Sequence, residues 1–124
     1  MKALLSIKPE YVRQILAGTK KYEYRRIIFA RQDVSSIVIY STLPDGLVVA
    51  EVEVRNILKG SKSKIWNETK GFSGISRAEL FDYFDNKDEV YAIELGKVTP
   101  YLEPKSLKEF NPSIKAAPQS FIYI

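Results

Sequence analysis

Apolar positions along the chain recur at two different spacings, which separate predicted strands from predicted helices. Alternating or unbroken apolar positions indicate strands, whereas apolar positions three or four residues apart indicate helices. The pattern predicts strands at about residues 3–7, 21–29, 34–42, 47–58, 89–95 and 119–124. It predicts helices at about residues 9–17, 61–70 and 77–85, and a single helical turn at 106–110. Five or six mostly antiparallel strands with two or three short helices make an α+β fold, a small curled barrel.

The residues between these elements support the assignment. Pro9 suits the first turn of a helix, and Gly18 suits the end of one. Ser76 and Glu79 have the spacing of a capping box, in which Ser76 is the N-cap and Glu79 reaches back to it. The unbroken apolar block at 37–40 is typical of a strand covered on both faces, so this strand should be central in the sheet.

The strand after the first helix carries the most concentrated candidate chemistry. Because side chains alternate along a strand, Glu23 and Arg25 share one face, and Tyr22 and Tyr24 share the other. Lys20 lies in the preceding turn and can lean over the face of Glu23 and Arg25. Spacing alone fits a surface strand with a salt bridge, or a charged cleft that grips an anion or a nucleobase.

Composition restricts the chemistry that this strand could serve. The chain contains neither His nor Cys. It therefore cannot supply a thiolate nucleophile, a Ser-His-Asp relay, a structural zinc site or a disulfide. Acid–base chemistry would have to use Lys, Tyr, Asp or Glu with shifted pKa values. The net charge of +4 permits an anionic partner such as RNA without requiring one.

Length and hydropathy indicate one domain that spans residues 1–124 and no membrane association. A chain of 124 residues matches one ordinary domain. No apolar run approaches the roughly 20 residues needed to cross a bilayer, and the N-terminal segment is charged too early for a signal peptide. We therefore expect a cytoplasmic location. No tight group of carboxylates calls for a metal, so no cofactor is expected.

The motif Gly18-x-Lys20-x-x-Glu23-x-Arg25, with the helix 9–17 before it, resembles the ASCH domain family of the PUA-like group of small β-barrels. The likeness extends over nearly the whole chain. It implies a cleft between the barrel strands and the helices, into which the motif side chains point. It also implies binding of RNA or modified nucleosides, or hydrolysis of RNA or of acetylated cytidine.

One branch of that family removes the acetyl group from N4-acetylcytidine and resembles this motif, but it carries Thr at the position of Glu23. Because Glu cannot take the role of that Thr without a different mechanism, the deacetylase activity is disfavoured. The resemblance therefore implies only the cleft, through Lys20, Glu23 and Arg25.

The leading hypothesis is an RNA- or modified-nucleoside-binding domain. Lys20 offers a point charge, Arg25 a planar fork for phosphate or carboxylate, and Glu23 an acceptor for an exocyclic amino group. The candidate ligand-binding residues are Ser6, Lys8, Lys20, Glu23, Arg25, Ser41 and Ser120. The alternative is a hydrolase acting on RNA, a ribonuclease, or on a modified nucleoside. Lys20 and Glu23 would then be catalytic, and only then is a divalent metal possible.

Two other features have open interpretations. Basic residues around Lys62 and Arg26 fit either phosphate contacts or solvated faces. Trp66 and Phe72 would suit a protein partner if they formed an exposed patch. The oligomeric state is not predicted.

Overall fold

The computed structural model describes all 124 residues, which form one mixed, curled sheet with helices around it. The strands are β1 (Lys2–Ile7), β2 (Tyr22–Arg25), β3 (Ser36–Ser41), β4 (Leu47–Gly60), β5 (Val90–Lys105) and β6 (Phe121–Tyr123). Their order across the sheet is β2-β5-β4-β3-β1-β6. Only β1 and β3 pair in parallel, and the other pairs are antiparallel. The helices are α1 (Pro9–Ala17), α2 (Lys62–Thr69), α3 (Arg77–Tyr83) and α4 (Leu107–Phe110), with a 3-10 turn at Lys70–Phe72.

Two predicted strand boundaries are wrong, for the same reason. The strand predicted at 21–29 ends at Arg25. Arg25 pairs with Tyr91, and because the partner strand β5 begins at Val90, almost nothing of β5 remains for residues after Arg25 to pair with. Conversely, the strand predicted at 89–95 continues to Lys105, because β4 is long enough to supply partners from Val90 to Pro100 and again at Lys105. Register shifts in that pairing accommodate the irregular stretch. Strand length thus depends on the partner, which local periodicity does not reveal.

The core lies on both faces of the sheet and makes β3 central, as predicted. Ile37 and Ile39 belong to the largest apolar cluster, which packs beneath α1. Val38 and Tyr40 point to the opposite face and join a smaller cluster that α4 and the C-terminal residues partly cover. A third cluster fixes β2 against α2 and α3, and its buried members are Tyr24, Ile65, Leu80, Phe84, Val90 and Ala92.

Helix ends follow the predicted residues with one difference. Gly18 ends α1 in the left-handed conformation, at φ 81°. Ser76 caps α3 by accepting from the backbone N–H of Glu79, but the Glu79 carboxylate accepts from the Ser76 hydroxyl rather than from its backbone N–H. The reciprocal capping box occurs instead at Ser106 and Glu109, at the start of α4.

The helices are all short. No helix has the combination of length and apolar character that a bilayer-spanning helix requires.

Candidate functional site

A pocket of about 480 Å³ opens where the end of β1, the start of α1, strand β2 and helix α3 meet. Lys20, Glu23 and Arg25 all line it, so the structure brings the three motif side chains together in one cavity. Tyr24 lines it too, although alternation placed it on the opposite face of the strand. Gln119, just before β6, contributes to the same wall.

Lys20 is a buried cation with no carboxylate partner. Its side chain is only 3% exposed, and no ion pair of 4.0 Å or less includes it. The ammonium donates to the Ser73 carbonyl oxygen at 2.6 Å and lies 5.0 Å from the Tyr11 ring centroid and 4.8 Å from that of Tyr24. Burial lowers the pKa of Lys20, and the charge of Glu23 opposes that effect. Lys20 therefore presents a desolvated amine to the pocket.

Glu23 and Arg25 form a buried ion pair. The Arg25 Nη1 lies 3.2 Å from the Glu23 Oε2, and the two side chains are 10% and 9% exposed, respectively. The Arg25 Nη2 donates to the Ser120 carbonyl oxygen at 2.6 Å. Both terminal nitrogens of the Arg25 guanidinium thus donate within the chain, whereas the Oε1 of Glu23 has no hydrogen-bond partner in the chain and is available to a ligand.

The other predicted site residues divide between the pocket and its surroundings. Ser6 and the exposed Lys8 line the pocket, and the Ser6 hydroxyl donates to the Pro118 carbonyl at 2.8 Å. The backbone carbonyl of Ser120 accepts from Arg25, whereas the Ser120 hydroxyl is buried without a hydrogen-bond partner.

Ser41 lies outside the pocket. It is fully buried at the end of β3, and its hydroxyl donates to the Asp45 Oδ2 at 2.8 Å, within the turn before β4. The turn therefore already uses the hydroxyl of Ser41, which is the ordinary role of Ser at such positions.

Several pocket residues do not appear among the sequence candidates. Tyr11 comes from α1, and Glu79, Asp82 and Tyr83 come from α3. The last three stand at positions i, i+3 and i+4, which is one face of a helix. The spacing therefore predicts that these three residues share one helix face. Only the packing of Leu80 into the core determines that this face is turned toward β2.

The basic and aromatic features left open by the sequence lie outside the pocket. Lys59 pairs with Glu89 at 3.5 Å, and Lys64 donates to the Lys59 carbonyl. Trp66 is half-buried against the cluster that fixes β2, whereas Phe72 is 48% exposed, with the Lys21 ammonium 4.5 Å from its ring centroid. The two aromatic residues therefore do not form a fully exposed patch.

Gly74 should be essential for holding Lys20 in place. It adopts φ +68°, and an added Cβ would lie 2.8 Å from the Lys20 Cδ and would also meet the Gln14 side chain. We expect Gly74→Ala to lower the free energy of unfolding by about 2 kcal/mol, since the left-handed conformation and the contact both oppose a side chain. Urea unfolding measures this change.

Gly71 provides the matched control in the same loop. A Cβ there would meet nothing within 4 Å, and its φ is not positive. Gly71→Ala should therefore change stability by less than about 0.5 kcal/mol. Equal losses in the two variants would show that the loop does not constrain Lys20.

Comparison with known proteins agrees with this fold. A family model described as the ASCH domain matches residues 5–111. A curated ASCH domain-containing ribonuclease of Zymomonas mobilis is 27% identical over 124 residues, which cover 98% of this chain and 83% of the relative. A crystal structure of ASCH from Zymomonas mobilis superposes with a TM-score of 0.89 at 27% identity, covering 99% of this chain and 87% of that one.

A longer relative also matches. The ATP synthase subunit alpha of Ureaplasma parvum is 29% identical over 122 residues, and this chain spans only 15% of its length. The predicted α+β curled barrel is confirmed by the shared structure, and so is the predicted resemblance. Since the family model covers most of the chain, the chain belongs to the ASCH domain family.

Proposed function

We propose that this domain binds RNA by holding one nucleotide, or a free nucleoside, in the pocket at β2. The observation that carries the proposal is the pairing of a buried donor with an unpartnered acceptor in one cavity, namely the Lys20 ammonium and the Glu23 Oε1. A volume of about 480 Å³ falls within the range of about 300–1,000 Å³ typical of small-ligand sites. The predicted partner is thus RNA or a nucleoside.

The remaining pocket groups suit a base and its sugar. An amino or imino group of the base would donate to Glu23, and a base carbonyl or ring nitrogen would accept from Lys20. Tyr83 is 40% exposed and lines the pocket, so its ring is available for stacking. The exposed Lys8 also lines the pocket and would contact a phosphate of the RNA backbone. Such a domain would act in the cytoplasm.

Hydrolysis of RNA is the second candidate function, because the Zymomonas mobilis relative is named a ribonuclease. The desolvated amine of Lys20 could accept the proton of a ribose 2′-hydroxyl, whose oxygen would then attack the adjacent phosphorus and expel the 5′-oxygen. Glu23 would relay that proton to the departing 5′-oxygen, and a 2′,3′-cyclic phosphate would remain on the other product. A divalent metal belongs only to this alternative, and the chain has no group of three or more carboxylates that would hold one by itself.

Replacing Tyr83 by alanine should weaken binding of a single-stranded RNA oligonucleotide by about 5- to 150-fold. This range corresponds to the stacking of one base, about 1–3 kcal/mol. Tyr123 is the matched control, because it is 38% exposed and lies on β6 outside the pocket lining. Fluorescence anisotropy of a labelled oligonucleotide measures both variants. Equal losses in Tyr83→Ala and Tyr123→Ala would contradict the assigned pocket.

Turnover separates the two candidate functions. The same oligonucleotide, incubated with and without Mg²⁺, would yield cleavage products only under the ribonuclease alternative. Those products should disappear in Glu23→Gln. Binding without any product in either condition would leave the domain as a binding module.

A further inference from the structure

Side chains from both faces of β2 line the same cavity. Glu23 and Arg25 lie on one face of the strand and Tyr24 lies on the other, yet all three line the pocket. A cavity that lay over one face of the strand would contact only the side chains of that face. The pocket therefore lies along an edge of β2, and β2 is the outermost strand of the sheet, with β5 as its neighbour.

The main-chain groups of Tyr24 point to the free edge of β2, which is the edge opposite β5. The Leu95 N–H donates to the Lys21 carbonyl at 2.9 Å, and the pairing continues to Arg25 without a register shift. In an antiparallel pair, alternate residues exchange hydrogen bonds with the partner strand. Residues 21, 23 and 25 therefore bond to β5, whereas the N–H and C=O of Tyr22 and Tyr24 are directed away from it.

The chain supplies no partner for these two groups of Tyr24, although the residue is only 5% exposed. No turn, loop or side chain bonds to them, and the one hydrogen bond of Tyr24 outside the strand pairing is that of its hydroxyl with Thr69. Buried main-chain groups almost always have a partner, either in the protein or from outside it. Because Tyr24 lines the pocket, a ligand there can supply that partner.

Helix α3 closes over the free edge next to Tyr24. Burial raises the pKa of Tyr83, and a hydrogen bond from the Arg26 backbone N–H is among the contacts that oppose the rise. The Tyr83 hydroxyl thus takes a main-chain donor two residues beyond Tyr24. An added peptide strand would need the groups of several residues along the edge, so this contact favours a compact planar ligand over a peptide strand.

We propose that the main-chain N–H and C=O of Tyr24 bind the Watson–Crick edge of an unpaired base. In adenine and cytosine this edge presents an amino group beside a ring nitrogen, and in guanine and uracil it presents an imino group beside a carbonyl. The donor and acceptor of Tyr24 complement either pattern. The inference rests on the proposed function, and it narrows the ligand to a base that is not paired with another strand.

The test removes the N–H of Tyr24 without changing its side chain. The α-hydroxy acid analogue of tyrosine, incorporated at an amber codon, replaces this N–H by an ester oxygen. We expect the ester to weaken binding of a labelled single-stranded RNA oligonucleotide by about 2- to 13-fold, the scale of one neutral hydrogen bond. Fluorescence anisotropy measures the affinity. The unlabelled oligonucleotide annealed to its complement should compete more weakly than the single strand, because pairing occupies the Watson–Crick edges.

Tyr22 is the matched control, because the same analogue there removes an N–H that is also directed away from β5 but lies outside the pocket lining. Each ester weakens the preceding carbonyl, that of Lys21 or Glu23, which accepts from β5 in both cases. Urea unfolding should therefore give similar stabilities for the two variants, and the Tyr22 ester should leave RNA binding unchanged.

Equal weakening of RNA binding by the two esters would overturn the inference and would indicate pairing along the whole free edge, as with an added strand. Competition by the duplex equal to that by the single strand would also overturn it. Wild-type affinity in the Tyr24 ester, together with lost binding in Lys20→Met, would overturn the inference while the proposed function stands. No RNA binding by the wild type would refute the proposed function and the inference with it.

Discussion

Replacing Glu23 by alanine should lower the free energy of unfolding by about 3 kcal/mol and abolish ligand binding. The ion pair with Arg25 is about nine-tenths buried, so removal of the carboxylate leaves a guanidinium with little solvent and only the Ser120 carbonyl as a partner. Breaking a buried pair by removal of one member typically costs about 3–5 kcal/mol. Chemical unfolding followed by circular dichroism measures the loss.

The chain contains a matched control for this pair. Glu53 and Arg55 have the same residue types and the same spacing on β4, with the nearest charged atoms 3.9 Å apart, but their side chains are 55% and 61% exposed. Glu53→Ala should therefore change stability by less than about 1 kcal/mol, as is usual for exposed ion pairs. Comparable losses at positions 23 and 53 would show that burial does not determine the importance of the motif pair.

The double variant Glu23→Leu with Arg25→Met separates stability from binding. An apolar pair of similar volume can replace a buried ion pair without loss of stability. We expect this variant to unfold at a denaturant concentration near that of the wild type, yet to bind no RNA, because the acceptor Glu23 Oε1 is gone. Recovery of both properties would mean that the pair only supports the fold.

These two pairs also show how far the sequence predicts the site. Alternation correctly placed Glu23 and Arg25 together, and the same rule applies equally to Glu53 and Arg55. The two pairs differ in the elements that pack over them. Helix α3 and the segment before β6 close over β2, and these elements lie about 55 and 95 residues further along the chain. Periodicity carries no information about such distant packing.

The environment of Lys20 could not be predicted from the sequence, for the same reason. The motif predicted a cation near Glu23, but its hydrogen-bond acceptor is the backbone carbonyl of Ser73, 53 residues away. Every residue has a backbone carbonyl, so residue identity does not reveal which carbonyl accepts the hydrogen bond. By contrast, the central position of β3 was predictable, because burial on both faces requires the unbroken apolar block that the sequence shows.

Replacing Lys20 by methionine should produce the clearest pH-dependent change in this protein. In the unfolded chain the amine titrates near 10.5, whereas burial lowers its pKa in the folded state. Between the two values the unfolded chain still holds a proton that the folded chain has released. Wild-type stability therefore rises with pH across this interval, relative to Lys20→Met, which has no group to titrate.

The change of stability with pH has the opposite sign for Lys20 and for the buried tyrosines. Burial raises the pKa of Tyr24 to about 12, so the stability that this tyrosine contributes is present below pH 10 and is lost as the pH rises toward 12. That loss is common to both proteins and falls at a higher pH, and the difference between them isolates Lys20. Urea unfolding at a series of pH values up to 10.5 measures this difference.

The same substitution should weaken RNA binding by about 10- to 150-fold, the equivalent of a hydrogen bond from a charged donor, about 1.5–3 kcal/mol. Lys21→Met is the control, because it removes one positive charge at the adjacent, exposed residue, whose side chain lies over Phe72 outside the pocket. A stability difference that does not vary with pH would mean that the Lys20 ammonium is solvated. Lys20 would then offer no desolvated donor to a base, and the pocket would lose the group on which its proposed function depends.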